Sequence, residues 1–401
     1  MSLRILHATA RIVLTTIALT SGAVSLVTAQ VRVTKEQVGA LRADSAGGRN
    51  VAAFDSARLA GDVTLARADA AMQQLLDAWA GLAPRPIAVL TPDAARRQPH
   101  PLQAVRVAIA QGGGDSSATA IVPGVRHVDR TLRGAAGDIP ARVYTPSGSG
   151  PFPVIVYFHG GGWVLADKSI YDLGARGLAR EANAIVVSVD YRLAPEHPFP
   201  AAHDDALAAY RWVLANARTI GGDPRRIALA GESAGGNLAV ATAIAARDAR
   251  LQRPRHVLAV YPVAQVDTTL PAYVENANAK PLDRATMGWF ARHAVRDAAQ
   301  LQDPRISILR ARLDGLAPVT IVAAEIDPLR NDGQLLEEAL RRAGVAVERR
   351  QWDDVTHEFF GMIPLVPQAR EAQAWAGGRL RDALADGAAP VRASDAGEAR
   401  R

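Results

Sequence analysis

The sequence predicts an α/β fold: a mostly parallel, eight-stranded sheet with helices on both faces and a helical cap. Three observations predict it. From residue 125 onward, short β-branched runs alternate with longer helical stretches, the order that builds a parallel sheet covered on both sides. Gly231-Glu232-Ser233-Ala234-Gly235 stands between one such run and an alanine-rich helical stretch. The chain has 401 residues, 49% of them apolar, enough for one large core.

Residues 1–29 read as an export signal. Arg4 and Arg11 precede the apolar stretch 12–26, and Val27-Thr28-Ala29 is a small-residue cleavage site that makes Gln30 the new N-terminus. Residues 30–62 have weak periodicity and read as a flexible segment. Leu65, Met72, Leu75, Leu76 and Trp79 recur at helical spacing, and Pro84 and Pro86 end that helix. Residues 102–109 fit helix or strand alike. Residues 63–117 are read as N-terminal helices and a linker, ahead of the α/β domain at 118–385.

Within that domain, 125–132 and 139–144 read as a strand hairpin. Further strands are expected at 154–158, 185–189, 227–230, 257–261, 319–323 and 345–352. Helices are expected at 171–182, 201–217, 237–249, 332–343 and 368–384. Residues 267–293 interrupt the alternation with Tyr273, Met287, Trp289 and Phe290, and read as a cap insertion over a ligand pocket. Residues 386–401 read as a disordered tail.

Composition excludes several chemistries. With no cysteine there is no disulfide, thiolate metal site or cysteine nucleophile. The net charge of +6 is carried by scattered arginines, with Lys35, Lys168 and Lys280 the only lysines, so no nucleic-acid partner is expected. After signal cleavage no stretch is long and apolar enough for a stable membrane span.

A serine on a sharp strand-to-helix turn needs small neighbours, and Gly231 and Gly235 supply them around Ser233. His159-Gly160-Gly161-Gly162-Trp163 brings a run of backbone N–H groups. At this composition chance supplies about 0.1 copies of the first pattern and about 0.005 of His-Gly-Gly-Gly, so the pair is not accidental. A serine hydroxyl needs a base. Of the histidines beyond Ser233, His357 follows a strand directly, whereas His293 belongs to the cap insertion and His256 begins a strand. The orienting acid should follow the strand at 319–323, where Glu325 and Asp327 both qualify by position.

These motifs resemble the bacterial hormone-sensitive-lipase-like esterases of the α/β-hydrolase fold. The matching pieces are His159 to Trp163, Asp190-Tyr191-Arg192-Leu193-Ala194-Pro195-Glu196, Gly231 to Gly236, Asp327-Pro328-Leu329 and His357. The resemblance covers roughly residues 65 to 385. Its one departure is Glu232, where aspartate is usual. It implies a catalytic triad of Ser233, Asp327 and His357, and an oxyanion hole of Gly161, Gly162 and the Ala234 N–H. It also implies a cap built from the N-terminal helices of 63–117 and the 267–293 insertion, over a catalytic domain at 118–385; His159, Trp163, Trp289 and Phe290 are read as substrate-pocket residues. Asp190, Arg192 and Glu196 would bind loops, and Asp332, Asp353 and Asp354 are read as cap or surface carboxylates. The implied reaction is carboxylic-ester hydrolysis on short to medium acyl chains, with no metal or organic cofactor. Amide, lactone, carbamate or acyl-sugar substrates are the alternative. A non-catalytic ligand receptor is a further one. The expected partner is a small-molecule ester; a homodimer is compatible with the sequence.

Overall fold

The computed structural model describes residues 14–20, 23–29 and 67–385. The expected segments at 30–62 and 386–401, and positions 63–66 at the start of the expected first helix, lie outside the described residues. The chain divides into two compact units, residues 1–58 and 59–401. In the first, β1 (Leu14–Thr20) and β2 (Ala23–Ala29) pair antiparallel, with Leu14 opposite Ala29. No described helix is long and apolar enough to cross a membrane.

The second unit is built on an eight-stranded sheet ordered β10-β9-β8-β7-β5-β6-β4-β3. The strands are β3 (Val125–Arg133), β4 (Asp138–Pro146), β5 (Phe152–Phe158), β6 (Ile185–Val189), β7 (Gly222–Glu232), β8 (Val257–Val260), β9 (Val319–Ile326) and β10 (Val347–Thr356). Only β4 runs against the rest, paired antiparallel with both β3 and β6. The central strands are buried on both faces, and their apolar runs do not alternate for that reason. Edge strand β3 is exposed at most positions, and its charged side chains discourage pairing with another chain.

Alternate residues divide the core in two. Val154, Val156 and Phe158 of β5 point to one face, with Ile227 and Leu229 of β7. Ile155, Tyr157, Ala228 and Ala230 point to the other. The first face packs against α6 (Ala201–Asn216), α7 (Ala234–Asp248) and α10 (Arg330–Arg342). The second packs against α1 (Ala70–Ala80), α3 (Pro101–Gln111), α5 (Asp172–Glu181) and α11 (Pro367–Leu384). Each fully buried Val, Ile or Leu side chain contributes about 1.5–3 kcal/mol.

Element boundaries follow local chemistry. The first helix starts at Ala70 because the Asp69 carboxylate accepts the Met72 N–H at 2.7 Å. The ambiguous 102–109 segment is helical: Pro101 occupies the first turn, and His100 and Gln103 cap it reciprocally. Short helices α2 (Pro92–Arg96) and α4 (Ala118–Ile121) start at Thr91 and Ser117 caps. The 267–293 segment holds α8 (Pro271–Glu275) and α9 (Arg284–Ala294). Its tie to the N-terminal helices is partly Trp289, whose Nε1–H donates to the Leu90 carbonyl at 2.8 Å.

Candidate active site

Four loops leave the carboxyl ends of parallel strands and converge. They begin at His159 after β5, Ser233 after β7, Asp327 after β9 and His357 after β10. Ligand sites of open α/β sheets occupy this edge.

Ser233 has φ 57° and ψ −117°, a conformation that costs a non-glycine residue on the order of 1–3 kcal/mol. The surrounding backbone enforces it. The Ser233 N–H donates to the Val260 carbonyl at 2.9 Å, and its own carbonyl accepts from Asn237 at 3.1 Å and Val263 at 3.3 Å. The turn is so tight that a Cβ on Gly231 would stand 2.1 Å from the Gly235 carbonyl oxygen. A Cβ on Gly235 would stand 2.0 Å from the Phe158 carbonyl oxygen. These contacts explain the glycine spacing. The turn sets Ser233 at the positive end of the α7 dipole, and the following Ala234 N–H is one of the helix's unpaired first donors.

His357 and Asp327 are both buried, and the His357 Nδ1–H donates to Asp327 Oδ2 at 2.8 Å. Asp327 Oδ1 accepts the Leu329 N–H at 2.8 Å, so the carboxylate is held from both sides. Burial by itself would lower the His357 pKa. The charge and hydrogen bond of Asp327 outweigh it, helped by Glu358 and Glu232, and the net shift is upward. The Tyr261 ring lies 4.4 Å from the His357 ring and limits its rotation. The competing acid, Glu325, is engaged elsewhere, accepting from Arg67 at 2.7 Å and from the Asp354 N–H at 2.9 Å. The competing base, His293, donates to the Trp289 carbonyl within α9.

Gly161 (φ 93°) and Gly162 (φ 60°) are left-handed. A Cβ on Gly161 would meet the Leu165 carbonyl oxygen at 2.2 Å, and one on Gly162 would meet the Phe290 ring at 2.2 Å. Ser233, His357, Gly161 and Gly162 all open on one cavity of about 350 Å³. Residues 79–101 and 280–290 supply much of its remaining wall, including Trp79, Ile87, His100, Leu282 and Phe290.

Of the four expected pocket aromatics and histidines, Phe290 lines this cavity and three do not. His159 is buried behind the glycine loop, stacked on Tyr191 at 4.3 Å. Trp163 has φ 62°, which turns it away into a separate small cavity beside His203. Trp289 is held by its bond to Leu90. Asp332 also departs from expectation. It is fully buried, accepts from the Ala264 and Gln265 N–H groups, and burial first of all pushes its pKa up to about 8. Asp190, Arg192 and Glu196 do bind loops: Asp190 pairs with Lys168, Arg192 with Asp205 at 2.8 Å, and Glu196 with Arg96 at 2.7 Å.

Sequence reasoning passed over the polar layer beneath the site. Tyr157 and Tyr261 donate their hydroxyls to the buried Glu232 carboxyl, and Tyr171 donates to Glu358 at 2.7 Å. Burial, then the charge of Glu358, pushes the Glu232 pKa up to about 8. The longer Glu232 side chain fits because position 174 is glycine, where a Cβ would stand 2.4 Å from Glu232 Oε1. The positions of Glu232, directly before Ser233, and of Glu358, directly after His357, were the sequence signals for this layer. Among the described residues, no group of three or more His, Asp or Glu side chains is arranged to hold a metal ion.

Comparison with known proteins agrees with this architecture. Residues 155–361, just over half the chain, match the family model described as alpha/beta hydrolase fold. Carboxylesterase NlhH of Mycobacterium tuberculosis is 44% identical over 259 residues, covering 63% of this chain and 81% of that protein. Ethyl acetate hydrolase of Pseudomonas putida is 35% identical, covering 58% and 75%. The solved structure of a hyperthermophilic esterase from Pyrobaculum calidifontis superposes with a TM-score of 0.70 at 33% identity, covering 78% of this chain and 98% of that one. The chain therefore belongs to the hormone-sensitive-lipase-like group of the α/β-hydrolase family, and it is an enzyme of the carboxylesterase class.

Proposed function

We propose that the protein hydrolyses carboxylic esters of short to medium acyl chain through a Ser233–His357–Asp327 triad and an acyl-enzyme. The observation that carries this reading is the His357–Asp327 hydrogen bond of 2.8 Å beside a strained, glycine-flanked Ser233 on one cavity. With Nδ1–H committed to Asp327, Nε2 is the basic nitrogen. Ser233 Oγ attacks the ester carbonyl as its proton passes to His357 Nε2. The carbonyl oxygen becomes an oxyanion, which the N–H groups of Gly161, Gly162 and Ala234 stabilise; each such donor is worth about 2.7–4 kcal/mol. His357 then protonates the leaving alkoxide. Water repeats the sequence on the acyl-enzyme, giving the free acid and the original serine. Asp327 holds the imidazole and stabilises its charged form without taking the proton.

A cavity of about 350 Å³ favours a small ester over a long insoluble fat. The relative named for hydrolysing ethyl acetate supports the same choice. The test is a panel of ethyl esters of graded acyl length, run with wild type and Ser233→Ala. Turnover should peak at short to medium chains and disappear in the variant. A Ser233→Ala protein that keeps wild-type rates would exclude the triad.

We further propose that the protein is exported, with cleavage between Ala29 and Gln30, on the strength of the Val27-Thr28-Ala29 pattern after an apolar stretch. Intact-mass measurement of the exported protein should find Gln30 first; retention of Met1 would contradict export.

A further inference from the structure

The Glu358 carboxylate has no task in the reaction just described. It follows His357 directly, lines the same cavity and is only 7% exposed. Its backbone has φ 73°, a region that favours glycine. Oε1 accepts from the Tyr171 hydroxyl at 2.7 Å, while Oε2 is buried with no hydrogen-bond partner among the described residues. A half-satisfied buried carboxylate is unfavourable, so two local penalties coincide at one residue; the buried Oε2 is not itself a ligand contact, and Oε1 is the acceptor offered to a ligand.

His100 is the second polar group there, and it too lines the cavity. Its Nδ1 accepts the Leu102 N–H at 3.2 Å, which leaves the hydrogen of the neutral ring on Nε2. Burial lowers its pKa and keeps the ring neutral. Nε2 lies 4.0 Å from Glu358 Oε1, too far for a direct hydrogen bond. The same cavity is lined by the apolar Trp79, Pro99, Pro101 and Ile170 and, elsewhere on its wall, by the charged Arg85, Arg96, Lys280 and Asp283.

Glu358 Oε1 keeps one lone pair beside the Tyr171 bond, and with His100 Nε2 at 4.0 Å the two atoms match one bridging hydroxyl group. Its hydrogen goes to the carboxylate, and its oxygen accepts the imidazole N–H. An ammonium group would satisfy Glu358 but oppose the His100 N–H, and an anion would be repelled by Glu358. We propose that Glu358 and His100 form a hydroxyl-recognising subsite, so that the preferred substrates are esters carrying a free hydroxyl on the acyl or the alcohol portion. This rests on the ester-hydrolase reading above.

The test compares kcat/KM within matched pairs. For the acyl portion, ethyl esters of hydroxy acids with the hydroxyl at successive carbons are set against isosteres with a methyl in its place. For the alcohol portion, glycol monobutyrate is set against propyl butyrate. Wild type should favour the hydroxylated member of at least one series by about tenfold or more, the scale of one hydrogen bond to a charged group. That ratio should collapse toward unity in Glu358→Ala and fall in His100→Ala. Flat ratios in wild type, with the plain esters cleaved normally, would overturn the subsite and leave the esterase reading intact. So would a ratio unchanged in Glu358→Ala. If no ester of either kind is cleaved, both readings fall. Where an alanine variant does not fold, Glu358→Gln is read in its place: the ratio should fall there too, and an unchanged ratio would overturn the subsite.

Discussion

At His357, opposing influences meet within one side chain. Burial disfavours the imidazolium; Asp327 at 2.8 Å favours it by charge and hydrogen bond; the net pKa lies above the ordinary 6.5. In the proposed mechanism the neutral ring is the base, so kcat/KM should rise with pH along a limb whose midpoint lies above 6.5. The same raised pKa stabilises the fold fully below 6.5, and that contribution is lost as pH rises through the folded value. Asp327→Asn removes the charge, so the limb should move to lower pH and kcat should fall by about 10⁴, as comparable changes do in other triads. A pH–rate profile of both proteins checks this, and an unmoved limb would deny Asp327 its orienting role. Ser233, Asp327 and His357 stand in short linear motifs after strands, which made them legible in the sequence. Trp163 and His159 were legible as motif members, but not in direction. The left-handed backbone at Trp163 turns its ring out of the cavity, and that depends on the folded loop.

At the scale of elements, neighbouring glycines in α11 make opposite demands. A Cβ on Gly377 would lie 2.3 Å from Glu181 Cβ and 2.9 Å from the Glu181 carbonyl carbon, where α11 crosses the end of α5. A Cβ on Gly378 would meet only the Arg381 guanidinium, at 3.9 Å. Gly377→Ala should therefore destabilise by about 1–3 kcal/mol through overpacking. Gly378→Ala should stabilise by about 1 kcal/mol through helix propensity. Urea unfolding midpoints of the two variants should move in opposite directions, and a shared direction would mean the crossing is looser than described. Periodicity located this helix and all eight strands of the large sheet. It cannot see which helical glycine sits at a crossing. Nor could it separate helix from strand at 102–109, where the deciding feature was the reciprocal cap between His100 and Gln103.

At the scale of the molecule, the sheet sets the site. Four of its parallel strands end in the four loops that hold the glycine run, the serine, the acid and the histidine. Strand order brings together residues up to 198 positions apart, from His159 to His357. The alternation of strands and helices forecast that convergence. The wall facing it was less legible. It comes from residues 79–101 and 280–290, whose pairing through Trp289 and Leu90 is a tertiary event with no local signature. The proposed reaction cleaves esters through an acyl group carried on Ser233. The direct measurement is mass spectrometry of the wild-type enzyme quenched in acid during turnover of an activated butyrate ester, with the modified peptide sequenced. A butyryl increment on Ser233, absent when residue 233 is alanine, is the predicted result; steady turnover with no acyl group on Ser233 would contradict it.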